Sequence, residues 1–94
     1  MITQQDLDDA IDVLNDWRRE LDAAREAIEN CVARRATLDL LCQLGEEFMS
    51  AAVEAEFDKI GRDLRDAWDR VRVATLYIAL HEQKVRELEV ATRA

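Results

Sequence analysis

The chain has 94 residues and a net charge of −8, with 13 basic and 21 acidic side chains. This length suits a single domain with one core, so we expect residues 1–94 to fold as one unit. The negative charge repels nucleic-acid phosphates and anionic membranes, and no apolar run approaches the ~20 residues of a transmembrane helix, so direct binding to nucleic acid or membrane is disfavoured.

The composition indicates an all-α protein. Hydrophobic residues make up 49% of the chain and charged residues 36%, whereas aromatic residues make up only 5%. Such a mixture is typical of long helices. A β-rich fold would need many turns, but the chain has no proline and only Gly45 and Gly61 as glycines.

The first predicted helix begins at Thr3. Thr3 is a favourable N-cap residue, and Asp6 stands three positions later, as in a capping box. From there the apolar positions alternate spacings of three and four, which is the heptad pattern of a helix packed along another helix. This first stripe consists of Leu7, Ala10, Leu14, Trp17, Leu21, Ala24, Ile28 and Cys31.

The middle of the chain leaves open where the chain turns. Arg34 and Arg35 suit a helix C-terminus and Thr37 suits an N-cap, which favours an elongated three-helix bundle. Its helices would span about 3–35, 37–60 and 62–92, with the second break at Gly61. The alternative is a long antiparallel hairpin of two helices that turns at Gly45.

The last predicted helix carries two apolar stripes. The stripe that continues the heptad pattern consists of Phe57, Ile60, Leu64, Ala67, Val71, Ala74, Ile78, His81, Val85 and Leu88. A second stripe, on a different face, consists of Val73, Leu76, Tyr77 and Leu80. The other helices of an elongated bundle cannot easily cover both stripes of the last helix. We therefore expect the second stripe to be an interface, most simply between two copies in a homodimer.

The acidic residues are concentrated in two blocks. Residues 1–16 contain five acids and no base, and residues 36–61 contain six acids and one base. In an up-down-up bundle the start of the first helix lies beside the end of the second, so these blocks would form one acidic patch. Its members would be Asp9, Asp12, Asp16, Glu54, Glu56 and Asp58. Such a patch either keeps the protein soluble or binds a partner with a basic surface.

The chain contains no recognisable catalytic or cofactor-binding motif. The only histidine, His81, lies on the heptad stripe between apolar residues, and its sequence neighbour Glu82 points about 100° away around the helix. Cys31 and Cys42 lack the spacing of metal ligands and are expected to be reduced core thiols, as in a cytoplasmic protein. We therefore expect no enzyme activity, no metal site and no cofactor.

Two functional hypotheses follow from this sequence. The first is a non-enzymatic helical protein–protein interaction module, such as an adaptor, small chaperone or assembly factor, acting as a homodimer. The alternative is an acidic inhibitor that occupies the basic nucleic-acid-binding surface of a target protein, as phage anti-defence proteins of the anti-CRISPR type do.

Overall fold

The protein is a hairpin of two long helices. The computed structural model describes residues 1–45 and 50–94, and within these ranges it contains two α-helices and no strand. Helix α1 spans Gln4–Gln43 and helix α2 spans Ala51–Arg93. The all-α prediction is confirmed, and the hairpin fits the structure better than the three-helix bundle.

Side chains from the flanking residues cap the N-termini of both helices. At the start of α1 the Asp6 amide donates to the Thr3 hydroxyl at 3.3 Å, and the Thr3 amide donates to the Asp6 carboxylate at 2.8 Å. The capping box expected from the sequence is therefore present. At the start of α2 the Val53 amide donates to the Ser50 hydroxyl at 3.3 Å.

Helix α1 ends at Gln43, two residues before Gly45, the residue at which the hairpin alternative turns. The amides of Leu44 and Gly45 donate to the carbonyls of Leu41 and Cys42, at 3.1 and 3.4 Å. Gly45 has a φ of 126°, a conformation that side chains disfavour and glycine accepts readily. Residues 46–49, which belong to the predicted middle helix 37–60, lie outside the described residues.

The predicted break near Ala36 is wrong because its cap-like residues have other partners. The Thr37 hydroxyl donates to the Ala33 carbonyl at 3.1 Å, a bond that a threonine makes within a continuous helix. Arg34 extends across to α2, where it pairs with Glu56 and Asp63, rather than acting as a helix C-terminal charge. The predicted break at Gly61 is also wrong, since α2 continues through this exposed residue.

The two helices pack antiparallel along their heptad stripes. Near the free end of the hairpin Leu7, Ala10 and Leu14 cluster with Val85, and near the turn Cys31 and Leu38 cluster with Ile60. Between these clusters Ala24, Ala67 and Ala74 are almost completely buried, so small side chains occupy the centre of the contact. The core is thus a single narrow seam.

The molecule is a thin rod. Its extents are 71 × 15 × 15 Å and its radius of gyration is 20.8 Å, against about 12 Å for a globular domain of this length. No third layer of described residues covers the outer faces of the hairpin. Over its described part, neither helix is both long enough and apolar enough to cross a membrane.

Candidate protein-interaction surface

The second stripe of α2 lies on the surface of the hairpin. Val73, Leu76, Tyr77 and Leu80 remain 47%, 59%, 41% and 52% exposed. The neighbouring residues on the heptad stripe are less exposed: Ala74 is fully buried, and Ile78 is half-buried against α1. Helix α1 therefore covers one apolar stripe of α2 and leaves the other accessible.

An aromatic stack extends this stripe onto α1. The rings of Trp17 and Tyr77 lie parallel, with centroids 4.6 Å apart and planes 7° apart. Trp17 also lines a shallow groove with Val73, and Val13, one helical turn before Trp17, is 40% exposed. Stacking in this geometry typically contributes about 0.5–1.5 kcal/mol beyond the burial of area.

We call the combined surface the apolar face. It consists of Val13, Trp17, Val73, Leu76, Tyr77 and Leu80, drawn from both helices. By its sequence spacing Trp17 belongs to the first stripe, and Val13 belongs to neither predicted stripe. Val13 and Trp17 are four residues apart and therefore lie on one side of α1. This spacing indicates a shared surface with the second stripe only once it is known which side of α1 meets α2.

Ion pairs between the helices lie on the same side of the hairpin as this face. The Arg70 guanidinium, which shares a groove with Trp17, donates to Glu20 at 2.7 Å. This hydrogen bond holds the pKa of Glu20 below its usual value and raises that of Arg70. Nearer the turn, Arg34 donates to Glu56 at 2.8 Å and to Asp63 at 3.0 Å, and these two bonds raise its pKa.

The hairpin does not bring the predicted acidic patch together. Glu56 is bound to Arg34, which lies 18 residues beyond Asp16 on a continuous helix, or about 27 Å along it. The block of Asp9, Asp12 and Asp16 lies toward the free end, whereas the block of Glu54, Glu56 and Asp58 lies toward the turn. The placement expected from an up-down-up bundle is wrong because the turn falls at Gly45 and not at Ala36.

His81 and the two cysteines are buried or half-buried along the hairpin. His81 is half-buried, and its ring centroid lies 6.3 Å from that of Tyr77, next to the apolar face. Cys31 is buried in the core cluster near the turn, and no disulfide joins it to the half-buried Cys42. Among the described residues, no group of three or more His, Cys, Asp or Glu side chains is arranged to hold a metal ion.

Comparison with known proteins adds no relative: no family model, no curated protein and no solved structure matches this chain.

Proposed function

We propose that the protein is a non-enzymatic helical protein–protein interaction module, of the adaptor, small-chaperone or assembly-factor kind, and that it binds through the apolar face. The observation that carries the proposal is the exposure of Val73, Leu76, Tyr77 and Leu80 on a hairpin with no third layer among its described residues. Contiguous apolar surface of this kind is a common mark of protein interfaces.

The energetics of burial support a binding role. Each of these side chains is about half exposed, and covering the remainder contributes about 1 kcal/mol for a valine or leucine. Tyr77 and Trp17 are already ordered by their stack, so less side-chain entropy is lost when a partner covers them. Preordered aromatic residues with a polar edge are frequent binding hot spots.

The proposal is tested with three affinity-tagged baits, exposed to native lysate and to untagged copies of the same chain. They are the wild type, Leu80→Glu in the apolar face, and Leu40→Glu as a matched control. Leu40 is 63% exposed and lies outside this face, so both substitutions place a glutamate on a helix surface. Each should change the stability of the isolated hairpin by under about 0.5 kcal/mol.

We expect the wild type and Leu40→Glu to retain the same partner, and Leu80→Glu to lose it, because a charge would be buried in the contact. Circular dichroism of each bait should show equal helicity. If the wild type retains neither a cellular protein nor its own untagged copy, or if Leu80→Glu retains the same partner as well, the apolar face is not a binding surface.

The charge distribution favours a second candidate function, inhibition of a protein with a basic surface. The first 16 residues carry five acids and no base, and Asp8, Asp9 and Asp12 are exposed along α1. Association driven by these charges should weaken steeply as salt is raised, whereas binding through the apolar face should not. A measured affinity at low and high ionic strength separates the two candidates.

A further inference from the structure

We infer that the occupant of the apolar face is a second copy of this chain, packed so that α1 of each copy lies against α2 of the other. The two-fold axis then runs parallel to the hairpins, and both turns lie at the same end of a four-helix bundle. This inference deepens the proposed function, on which it rests, by naming the partner and the orientation.

The surface area of the isolated chain supports a partner of this size. The chain exposes 6903 Å², whereas a monomeric globular protein of 10.8 kDa exposes about 5,500 Å². The excess of roughly 1,400 Å² is larger than the ~800 Å² that each subunit contributes to a standard interface. A second copy laid lengthwise on the rod has the right shape to cover it.

Charge on the two edges of the face supports the orientation. The edge formed by α1 carries Asp9, Asp16 and Glu20, which line the grooves beside Val13 and Trp17. The edge formed by α2 carries Arg70 and Lys84, which line the same grooves. Asp69 lines the same groove as Arg70 and is paired with Arg72 on its own helix, as Asp16 is with Arg19. The charged groove-lining residues of α1 are therefore all acids, whereas those of α2 are two bases and one acid.

Only one face-to-face two-fold arrangement matches these edges. If α1 packed on α1 and α2 on α2, acids would face acids and Arg70 and Lys84 would face each other. Packing α1 on the partner copy's α2 places each acidic edge opposite the edge that carries the two bases, which favours that orientation. The contacting helices are antiparallel in both arrangements, so the charges on the edges and not the helix macrodipoles distinguish them.

Disulfide trapping between two single-cysteine chains tests the arrangement. Both chains carry Cys31→Ala and Cys42→Ala; one adds Val13→Cys with one tag, and the other adds Leu80→Cys with a different tag. In the inferred dimer residue 13 of one copy lies at the level of residues 77–80 of the other, so mixing and mild oxidation should join the two tags. A Leu40→Cys chain mixed with the Val13→Cys chain is the control and should give only background cross-linking.

Light scattering on the unmodified chain and on each reduced variant should give twice the 10.8 kDa of one chain. Val13→Cys chains joined to each other in preference to Leu80→Cys chains would overturn the orientation. A mass of one chain at high concentration would overturn the second copy as partner. In that case a cellular protein retained by the wild type and lost by Leu80→Glu would still support the proposed function.

Discussion

Glu20 and Arg70 join the two helices beside the apolar face with a hydrogen bond of 2.7 Å. Both side chains are partly exposed, so the pair contributes a modest free energy, of the order of 1 kcal/mol or less. Its importance lies in its position. It holds Arg70 next to Trp17 and Val73, where the guanidinium forms part of the rim of the groove.

The lowered pKa of Glu20 predicts how this pair responds to acid. Its carboxylate, stabilised by Arg70, has a lower pKa in the folded chain than in the unfolded one. The stability that it contributes is therefore present above the unfolded value of about 4.3 and is lost as the pH falls through the folded value. We expect the difference in melting temperature between wild type and Glu20→Gln to be largest near neutral pH and to vanish at strongly acidic pH.

Glu26→Gln is the matched control, since Glu26 is exposed on the same helix and forms none of the ion pairs between the helices described above. Thermal unfolding followed by circular dichroism at a series of pH values gives the measurement. A difference between wild type and Glu20→Gln that persisted unchanged into strong acid would show that the ion pair is not its source.

The helices themselves are longer and more continuous than local sequence signals indicate. Helix α2 runs unbroken through Gly61, which is exposed and whose missing side chain would meet nothing within 4 Å. Glycine inside a helix costs stability because it has more freedom to lose on folding. Nothing in the packing around Gly61 offsets that cost.

Gly61→Ala is therefore expected to stabilise the protein by about 0.5–1 kcal/mol, as measured by chemical denaturation. Gly45→Ala provides the contrast. With a φ of 126° at the end of α1, an alanine there should destabilise the hairpin by about 1–3 kcal/mol. Equal effects of the two substitutions would contradict the assignment of Gly45 as the turn and Gly61 as helix interior.

The sequence predicts the elements well where a long-range pattern specifies them. The heptad spacing that includes Leu7 and Leu14 on α1 and Val85 on α2 correctly predicts the seam, and Thr3 with Asp6 correctly predicts the start of α1. The predicted break near Ala36 is wrong because single cap-like residues do not by themselves end a helix. Arg34 and Thr37 resemble helix-end residues until their partners across and along the helix are known.

The candidate surface could be predicted only in part, for a related reason. Periodicity identifies Val73, Leu76, Tyr77 and Leu80 as a second stripe, because it concerns one helix alone. The contribution of Val13 and Trp17 depends on which flank of α1 meets which flank of α2. The way in which the flanks meet depends on how the two antiparallel helices are aligned, and the apolar periodicity of one helix does not specify that alignment.

At the scale of the whole molecule, a rod 71 Å long and 15 Å thick buries little apolar area per residue. The described side chains that are buried are mostly small or are found near the two ends, and none of the large ones is completely shielded from solvent. Elongated hairpins of this kind gain stability when a partner supplies the missing contacts.

The inferred dimer predicts a melting temperature that depends on concentration. Association stabilises the folded state by mass action, so the melting temperature of the wild type should rise as the protein concentration is increased. Leu80→Glu, which is expected to remain a folded monomer, should melt at a temperature independent of concentration. Differential scanning calorimetry over a hundredfold range of concentration would reveal the contrast, and a constant wild-type value would argue against the dimer.

The pairing of Arg34 with two carboxylates also protects the hairpin against sliding. Glu56, Asp63 and Arg70 are spaced seven residues apart on α2, so a slip of one heptad would still place apolar residues opposite apolar residues along the seam. In one direction the slip would bring Arg70 to Arg34, and in the other it would bring Asp63 to Glu20. Either way like charges meet. The apolar residues hold the helices together, and the charges help to select one alignment among those that keep the same heptad pattern.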